Sequence, residues 1–137
     1  MNKLGAKYKA IKNVDERRKT FLIDMAEFYN SGNRSVDEDS FCVYSGGSFS
    51  PGCAIGRCLG PSLRKRLDQC EDKDIYNIYD KLYLLNRLPK WMTEMGLEFL
   101  GDAQSFHDDY TNWNKTGLSE RGKRIFQSLK EKYFIQN

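Results

Sequence analysis

The sequence predicts an α+β fold that is mostly helical, with about five helices packed around one small antiparallel β-hairpin. Apolar residues recur at helical spacing in five segments, which is the main signal for amphipathic helices. Two short apolar runs, residues 41–44 and 52–59, flank a connection rich in Gly and Ser, a pattern typical of a hairpin. At 137 residues, 39% of them apolar, the chain can form one packed domain. We therefore expect a flexible basic arm over residues 1–12 and a single globular domain over residues 13–137.

The first predicted helix covers residues 14–31. Asn13 and Glu16 have the spacing of a capping box, in which the Asn side chain caps the helix and the Glu side chain reaches back. Its apolar positions share one face: Phe21, Leu22, Met25, Ala26, Phe28 and Tyr29. The sequence Ser31-Gly32-Asn33 predicts the end of the helix, because Gly or Asn accepts the left-handed conformation of a C-cap.

Four further helices are expected from the same periodicity, over residues 61–70, 74–86, 90–108 and 119–133. Pro61 suits the first position of a helix. Pro89 separates the second and third of these helices, since proline interrupts helical hydrogen bonding. Ser119 is a suitable N-cap for the last one. Residues 109–117 are polar and aromatic and are expected to form a loop.

The charge balance and the hydropathy of the chain exclude several classes of protein. The net charge is only +3, and acidic residues interrupt most of the basic ones, so binding to nucleic acid through Arg64-Lys65-Arg66 is not favoured. There is no apolar run of about 18 residues, so no membrane span is predicted. The N-terminus lacks the apolar segment of a signal peptide, and we expect a cytoplasmic protein.

The four cysteines are Cys42, Cys53, Cys58 and Cys70. In a reducing cytosol we expect free thiols rather than disulfides. Cys42 and Cys53 could face each other across the predicted hairpin, with a role in the core. No Cys-x-x-Cys pair is present, and a zinc site from Cys42, Cys53, Cys58 and His107 would have an unfamiliar spacing. We therefore expect neither a metal nor a cofactor.

Two segments share a pattern with known proteins. The first contains Cys42-Val43-Tyr44 and the run Cys53-Ala54-Ile55-Gly56, and the second contains Gln104, His107-Asp108 and then Trp113. This pattern resembles a family of small uncharacterised proteins of phage genomes and bacteria, with Cys-x-Tyr, Cys-Ala-Ile-Gly, Leu-Gln-x-x-His-Asp and Trp in that order. Ala103 departs from it, since the family usually has Leu there. The resemblance implies a fold and a phage setting, with no established activity.

The same segments suggest a ligand-binding site. The glycines around Gly56 free backbone N–H groups that can bind an anion. Arginines would add charge, and a tyrosine or tryptophan could stack on a base. The candidate binding residues are Tyr44, Cys53, Gly56, Arg57, Arg64, His107, Asp108 and Trp113. The alternative is that the glycines only permit tight turns.

Catalysis is the competing interpretation. Cys53, His107 and Asp108 are the residue types of a thiol nucleophile, its base and an orienting group. Adjacent residues on a helix point about 100° apart, so Asp108 is expected to be poorly placed to orient His107. A purely structural role, in which His107 ties a helix to the hairpin, needs fewer assumptions.

The sequence therefore favours binding over catalysis. The function it predicts is that of a phage-type accessory protein in the host cytosol, acting in counter-defence or host takeover. Its partner would be a host or defence protein, or a nucleotide-like signal that it sequesters, and Tyr-rich residues 75–83 suggest a homodimer. The alternative is a small hydrolase or transferase that uses Cys53 and His107.

Overall fold

The computed structural model describes residues 3–34, 44, 52–69 and 87–134. Within these residues there are six α-helices, two 3-10 turns and one pair of short strands. The helices are α1 Lys3–Ala10, α2 Val14–Phe28, α3 Pro61–Asp68, α4 Lys90–Thr93, α5 Leu97–Asp108 and α6 Glu120–Tyr133. The strands are β1 Trp113–Asn114 and β2 Gly117–Leu118.

Residues 3–10 form helix α1, whereas the sequence predicted a flexible arm over residues 1–12. Lys3–Ala10 is helical, and the side chain of Tyr8 is fully buried in the core. The Tyr8 ring packs against Phe21 and Trp91, and its hydroxyl donates to Asp24 Oδ2 at 2.9 Å. A single buried tyrosine is a weak periodic signal among lysines, so the Lys-rich composition concealed this helix.

Helix α2 begins as predicted and ends earlier. The side chain of Asn13 accepts a hydrogen bond from Glu16 N, which confirms the N-cap. The helix ends at Phe28 because Tyr29 takes an extended conformation, so the predicted end at Ser31-Gly32-Asn33 is wrong. Phe28 also departs from the predicted apolar face, since 43% of it is exposed.

The second strand of the predicted cysteine hairpin is not a strand. Residues 54 and 55 form a turn, and Gly56–Cys58 is a 3-10 helix closed by the bond from Leu59 N to Gly56 O. The segment leads directly into α3, where Gly60 is the N-cap and Pro61 the first helical residue. Of the first predicted strand only Tyr44 lies within the described residues, and the helix predicted over 74–86 lies outside them.

The helix predicted over residues 90–108 is two helices. α4 ends at Thr93, and α5 begins at Leu97 after Gly96, whose φ of 91° lies in the left-handed region that favours glycine. The apolar period continues across the break, because Trp91, Met95 and Phe99 are all buried. The periodicity therefore predicted the buried face correctly but gave no signal for the turn between Thr93 and Leu97.

The antiparallel hairpin lies in the predicted loop over residues 109–117. Trp113 pairs with Leu118 and Asn114 with Gly117. Ser119 then caps α6 as predicted, since its Oγ accepts a hydrogen bond from Gly122 N. A mostly helical chain with one small antiparallel sheet confirms the predicted α+β class, although the hairpin is at a different place in the chain.

The core joins α1, α2, α4 and α5. Its largest members on α2 are Phe21, Leu22 and Met25, and α5 contributes Phe99, Leu100 and Phe106. Residues 53–59 and Tyr44 bury their side chains in the same cluster, apart from the half-buried Arg57. Among the described helices none is both long enough and apolar enough to cross a bilayer.

Candidate functional site

The two motif-bearing segments meet at a buried tyrosine. The Tyr29 ring lies edge-on to the His107 ring, with 4.6 Å between their centroids, and 6.0 Å from the centroid of Trp113. The Tyr29 hydroxyl donates to Gly52 O at 2.7 Å, which ties α2 to the turn that carries Cys53 and Gly56. Burial raises the pKa of the Tyr29 phenol, so the hydroxyl stays protonated and remains a donor.

His107 and Asp108 are directly hydrogen-bonded. His107 Nδ1 lies 2.7 Å from Asp108 Oδ1, at the C-terminal end of α5. The expectation that Asp108 is poorly placed to orient this ring is therefore wrong. Asp108 is the last residue of the helix and is half-buried, so its side chain can fold back over the preceding residue. Since a carboxylate only accepts, the bond assigns the proton to Nδ1.

Burial dominates the ionisation of His107. The imidazole is fully buried, which lowers its pKa, and this effect outweighs the opposing influence of the Asp108 hydrogen bond. Arg34 and Arg57 lower the pKa further by charge repulsion. His107 is therefore neutral at physiological pH and acts as a hydrogen-bonding group rather than as a cation.

The two cysteines of the turn, Cys53 and Cys58, differ in oxidation state. Cys58 is free, as expected, and burial raises the pKa of its thiol to about 12. Cys53 is disulfide-bonded, which corrects the expectation of free thiols, and its partner lies outside the described residues. In this form Cys53 has no thiolate to act as a nucleophile or as a metal ligand. Within the described residues no three His, Cys, Asp or Glu side chains are grouped to hold a metal ion.

Three arginines act electrostatically on the Tyr29–His107 pair. The Arg57 guanidinium lies over the rings of Phe28 and Tyr29, at 4.6 Å and 5.3 Å from their centroids. Arg34 Nη1 donates to the main-chain oxygen of Asp108, and burial lowers the pKa of Arg34.

The third arginine is Arg64 of α3. Its Nε donates to Leu59 O at 2.8 Å, at the end of the cysteine-bearing turn. Its charge and that of Arg57 both act to lower the pKa of Tyr29 and of Cys58. Arg34 acts electrostatically on His107, Arg64 acts on Tyr29, and Arg57 acts on both, so we call these three residues the arginine cluster.

Tyr44 and Gly56 are also brought together. A Cβ atom on Gly56 would lie 2.1 Å from Tyr44 O, so this backbone crossing requires glycine. The Tyr44 backbone N–H donates to Asp68 Oδ1 at 2.8 Å, and its hydroxyl accepts from Gln104 Nε2 at 3.4 Å. The glycine thus permits a close approach of two backbone segments.

Trp113 is positioned differently from an exposed stacking ring. It is buried, and its Nε1–H donates to the carbonyl oxygens of Phe106 and His107 at 3.2 Å and 3.1 Å. Its ring packs against Phe106 and Tyr29. Trp113 therefore closes the end of α5 from inside the core and presents no face to a ligand.

Three residues of this site, Tyr29, Arg34 and Gln104, were not among the predicted binding residues, although Gln104 belongs to the motif with His107. Gln104 lies one helical turn before His107, so the i to i+3 spacing on α5 could have predicted that the two share a face. Arg34 and Tyr29 follow the end of α2, and their positions depend on where that helix stops. No signal within the sequence fixes that end.

Comparison of the chain with protein-family models, curated protein sequences and solved structures gives no match. The resemblance to the small phage and bacterial family therefore stays a prediction based on its motifs.

Proposed function

We propose that the protein acts by binding, and that its ligand is an anionic molecule of the nucleotide class with at least one phosphate group. The observation that carries this proposal is the contact of the Arg57 guanidinium with the Tyr29 ring, supported by the charges of Arg34 and Arg64, which act on His107 and Tyr29. Guanidinium groups match phosphate oxygens in geometry and bind them in pairs of hydrogen bonds.

Partial burial strengthens this site for an anion. All three arginines are half-buried, and attraction between charges is stronger where water is partly excluded. Phe28 lies beside Arg57 with 43% of its surface exposed, and an exposed ring next to a cation can stack on a base. The neutral His107 adds no charge of its own and serves to position the Asp108 carboxylate and the Tyr29 ring.

The biological role proposed for this binding is counter-defence or host takeover in a phage-infected cell. This setting comes from the motif resemblance alone. Sequestration of a nucleotide-like signal follows from the arginine cluster, whereas inhibition of a host or defence protein would use the same site to receive an acidic group of that partner. The mass of the bound molecule distinguishes a nucleotide-like ligand from a partner protein.

The first experiment is native mass spectrometry of protein purified gently from its host, followed by calorimetric titration with mono-, di- and cyclic nucleotides. We expect a retained or titratable phosphate-bearing ligand whose affinity falls about tenfold or more in Arg57→Gln and Arg64→Gln, since each removes a charge-assisted hydrogen bond. Arg124→Gln, on the exposed face of α6, is the matched control and should leave the affinity unchanged.

Two results would contradict the proposal. One is a protein that neither retains nor titrates any phosphate-bearing compound. The other is a ligand whose affinity is the same in wild type, Arg57→Gln and Arg64→Gln. Because Arg57 also packs on Phe28, circular dichroism must first show that each variant is folded.

A Cys/His-dependent hydrolase or transferase is the second candidate, favoured by the bond between His107 and Asp108. It requires Cys53 in its reduced form and a thiolate with a lowered pKa. Rapid labelling of Cys53 by iodoacetamide after mild reduction, together with a turnover that Cys53→Ser abolishes, would support it. Slow labelling at neutral pH would count against it.

A further inference from the structure

A groove of about 220 Å³ runs between α5 and α6, on the outside of their antiparallel contact. Its α5 side carries Asp102 and Ser105, and Asp109 follows at the end of the helix. Its α6 side carries Ile125 and Leu129, which are half-buried. The volume corresponds to roughly seven waters at the liquid value of about 30 Å³ each, enough for a short-chain molecule.

One buried polar atom at this groove has no hydrogen bond. Asn112 lines the groove with 2% of its surface exposed, and its Oδ1 has no partner. The rest of its polar atoms are engaged: Nδ2 donates to Phe106 O at 3.0 Å, and the main-chain oxygen accepts from Ser119 N at 2.9 Å. The bond to Phe106 O fixes the orientation of the amide, because a carbonyl oxygen could not take the place of Nδ2 there.

A buried acceptor without a donor costs free energy, so it marks a place where a donor would be bound favourably. Two further groups that line the groove can accept, the Asp109 carboxylate and the Ser105 hydroxyl, and the Arg121 guanidinium lines it as a donor. Hydrogen bonding with Thr111 lowers the pKa of Asp109 and keeps it ionised. The polar end of the groove therefore suits a group with several N–H donors and a positive charge.

The remainder of the groove is apolar. Ile125 and Leu129 are one helical turn apart and form a continuous strip along α6. Asp102, seven residues before Asp109, lies about 10 Å away along the helix axis, at a rise of about 1.5 Å per residue. An alkyl chain lying on this strip would extend from the polar end at Asn112 towards Asp102.

We propose that this groove binds a primary alkylammonium group, with Asn112 Oδ1 and the Asp109 carboxylate as its acceptors. The alkyl chain packs along Ile125 and Leu129. The same chemistry has two sources, a free aliphatic amine and the lysine side chain of a partner protein.

Arg121 provides a sharp test because it competes for the same carboxylate. Its Nη2 lies 3.7 Å from Asp109 Oδ2, a long contact between two exposed side chains. An amine would displace this weak pair. Removal of the Arg121 charge should therefore strengthen amine binding, whereas an anionic or zwitterionic ligand would lose affinity.

The experiment is an NMR titration of the full chain, following the methyl resonances of Ile125 and Leu129. The probes are n-pentylamine and n-pentanol, which share an alkyl chain and differ in charge and donor number. We expect saturable shifts with pentylamine and at least about tenfold weaker binding of pentanol, since a charged hydrogen bond is worth more than a neutral one. N-acetyl-lysine methylamide separates the sources: binding as tight as that of pentylamine assigns a lysine side chain, and weaker binding assigns a free amine.

Three variants complete the test. Asp109→Asn keeps the shape and should weaken pentylamine binding about tenfold or more, and Arg121→Gln should strengthen it. Glu131→Gln, an exposed acid on α6 outside the groove, controls for overall charge and should have no effect. Equal binding of pentanol and pentylamine, the absence of saturable shifts, unchanged binding in Asp109→Asn or weaker binding in Arg121→Gln would each overturn the proposal.

Discussion

His107 is fully buried and neutral, and its ring is held between the Asp108 carboxylate and the edge of Tyr29. Because the pKa of this histidine is lower in the folded state than in the unfolded state, the free energy of unfolding falls as the pH falls. Below the ordinary pKa of 6.5 the unfolded chain takes up a proton that the folded chain does not, so unfolding becomes more favourable.

The expected result is a loss of stability on acidification from about pH 7.5 to about pH 5.5, to which the lowered pKa of His107 contributes. In His107→Gln this part of the loss should be missing. Urea unfolding of both proteins at the two pH values measures it. Equal losses in wild type and variant would show that His107 is not kept neutral by the fold.

Gly56 permits the closest backbone approach around Tyr44. Gly56→Ala would place Cβ 2.1 Å from Tyr44 O and 2.6 Å from Tyr44 Cα, and both atoms belong to the backbone. We expect a destabilisation of at least about 2 kcal/mol, because a packed interior cannot absorb the added methyl group. Chemical denaturation is the measurement.

Gly60→Ala is the matched control for this prediction. A Cβ there would have no neighbour within 4 Å, and the backbone conformation is open to alanine. Its effect should be below about 1 kcal/mol, from the change of an N-cap residue alone. Similar losses for both glycines would mean that the crossing at Tyr44 relaxes.

Among the elements, α1, α2 and α4 are joined by one buried side chain. Arg17 on α2 is almost fully buried, and its Nε donates to Tyr8 O and Ile11 O at 3.0 Å, while Nη1 donates to Trp91 O at 2.7 Å. Two of these carbonyls lie at or just beyond the C-terminal end of α1, where helix carbonyls have no partner within the helix. Arg17 on α2 thus caps the C-terminal end of α1 and also binds α4 to both helices.

Arg17→Met should lower the free energy of unfolding by at least about 3 kcal/mol, because it removes the side-chain donors to Ile11 O and Trp91 O, while Tyr8 O keeps only its bond from Ile11 N. Lys19→Gln also removes one positive charge from α2, but at an exposed position, and should lower the free energy of unfolding only slightly. Thermal unfolding of both variants makes the comparison. A Met variant as stable as the Gln variant would show that the carbonyls find other donors.

Three helix starts were predictable from local residues, whereas the helix ends at Phe28 and Thr93 were not. Asn13, Pro61 and Ser119 carry side-chain or ring chemistry that acts locally, so each start appears in the sequence. The ends at Phe28 and Thr93 depend on tertiary contacts, such as the bond from Tyr29 to Gly52, between residues far apart in the chain. The same reason explains the misplaced hairpin, because a strand pair of two residues each has no periodic signal.

At the scale of the whole molecule, the buried thiol of Cys58 reports on global unfolding. It is enclosed in the core, and burial raises its pKa to about 12, so the reactive thiolate is rare in the native protein. We expect iodoacetamide to leave Cys58 unlabelled in native protein at neutral pH and to label it in urea, as measured by peptide mass spectrometry.

An engineered thiol on the surface is the control for that experiment. Ser128→Cys, on the exposed face of α6, should be labelled under native conditions within the time in which Cys58 is not. Labelling of Cys58 at a similar rate would show that the turn over residues 54–58 opens locally.

Several residues that the sequence grouped together do lie together, while the environments of some side chains differ from those expected. Gly56, Arg57, His107 and Asp108 do converge, because they belong to elements that pack on Tyr29. The disulfide at Cys53, the burial of Trp113 and the contact between His107 and Asp108 could not be foreseen. Each depends on the three-dimensional environment of a side chain, and residue type and spacing in the sequence do not determine that environment.

The hydrogen bond between Arg17 and Trp91 has a consequence for synthesis on the ribosome. The donor is made 74 residues before its acceptor, an interval of about 4–15 s at about 5–20 residues per second. During that time α1 and α2 can pair through Arg17 and through the contact of Tyr8 with Phe21, while Arg17 Nη1 and the side of Phe21 that contacts Phe99 still lack their partners. We therefore expect a seconds-long stage of synthesis in which the apolar surface that later packs on α4 and α5 is exposed.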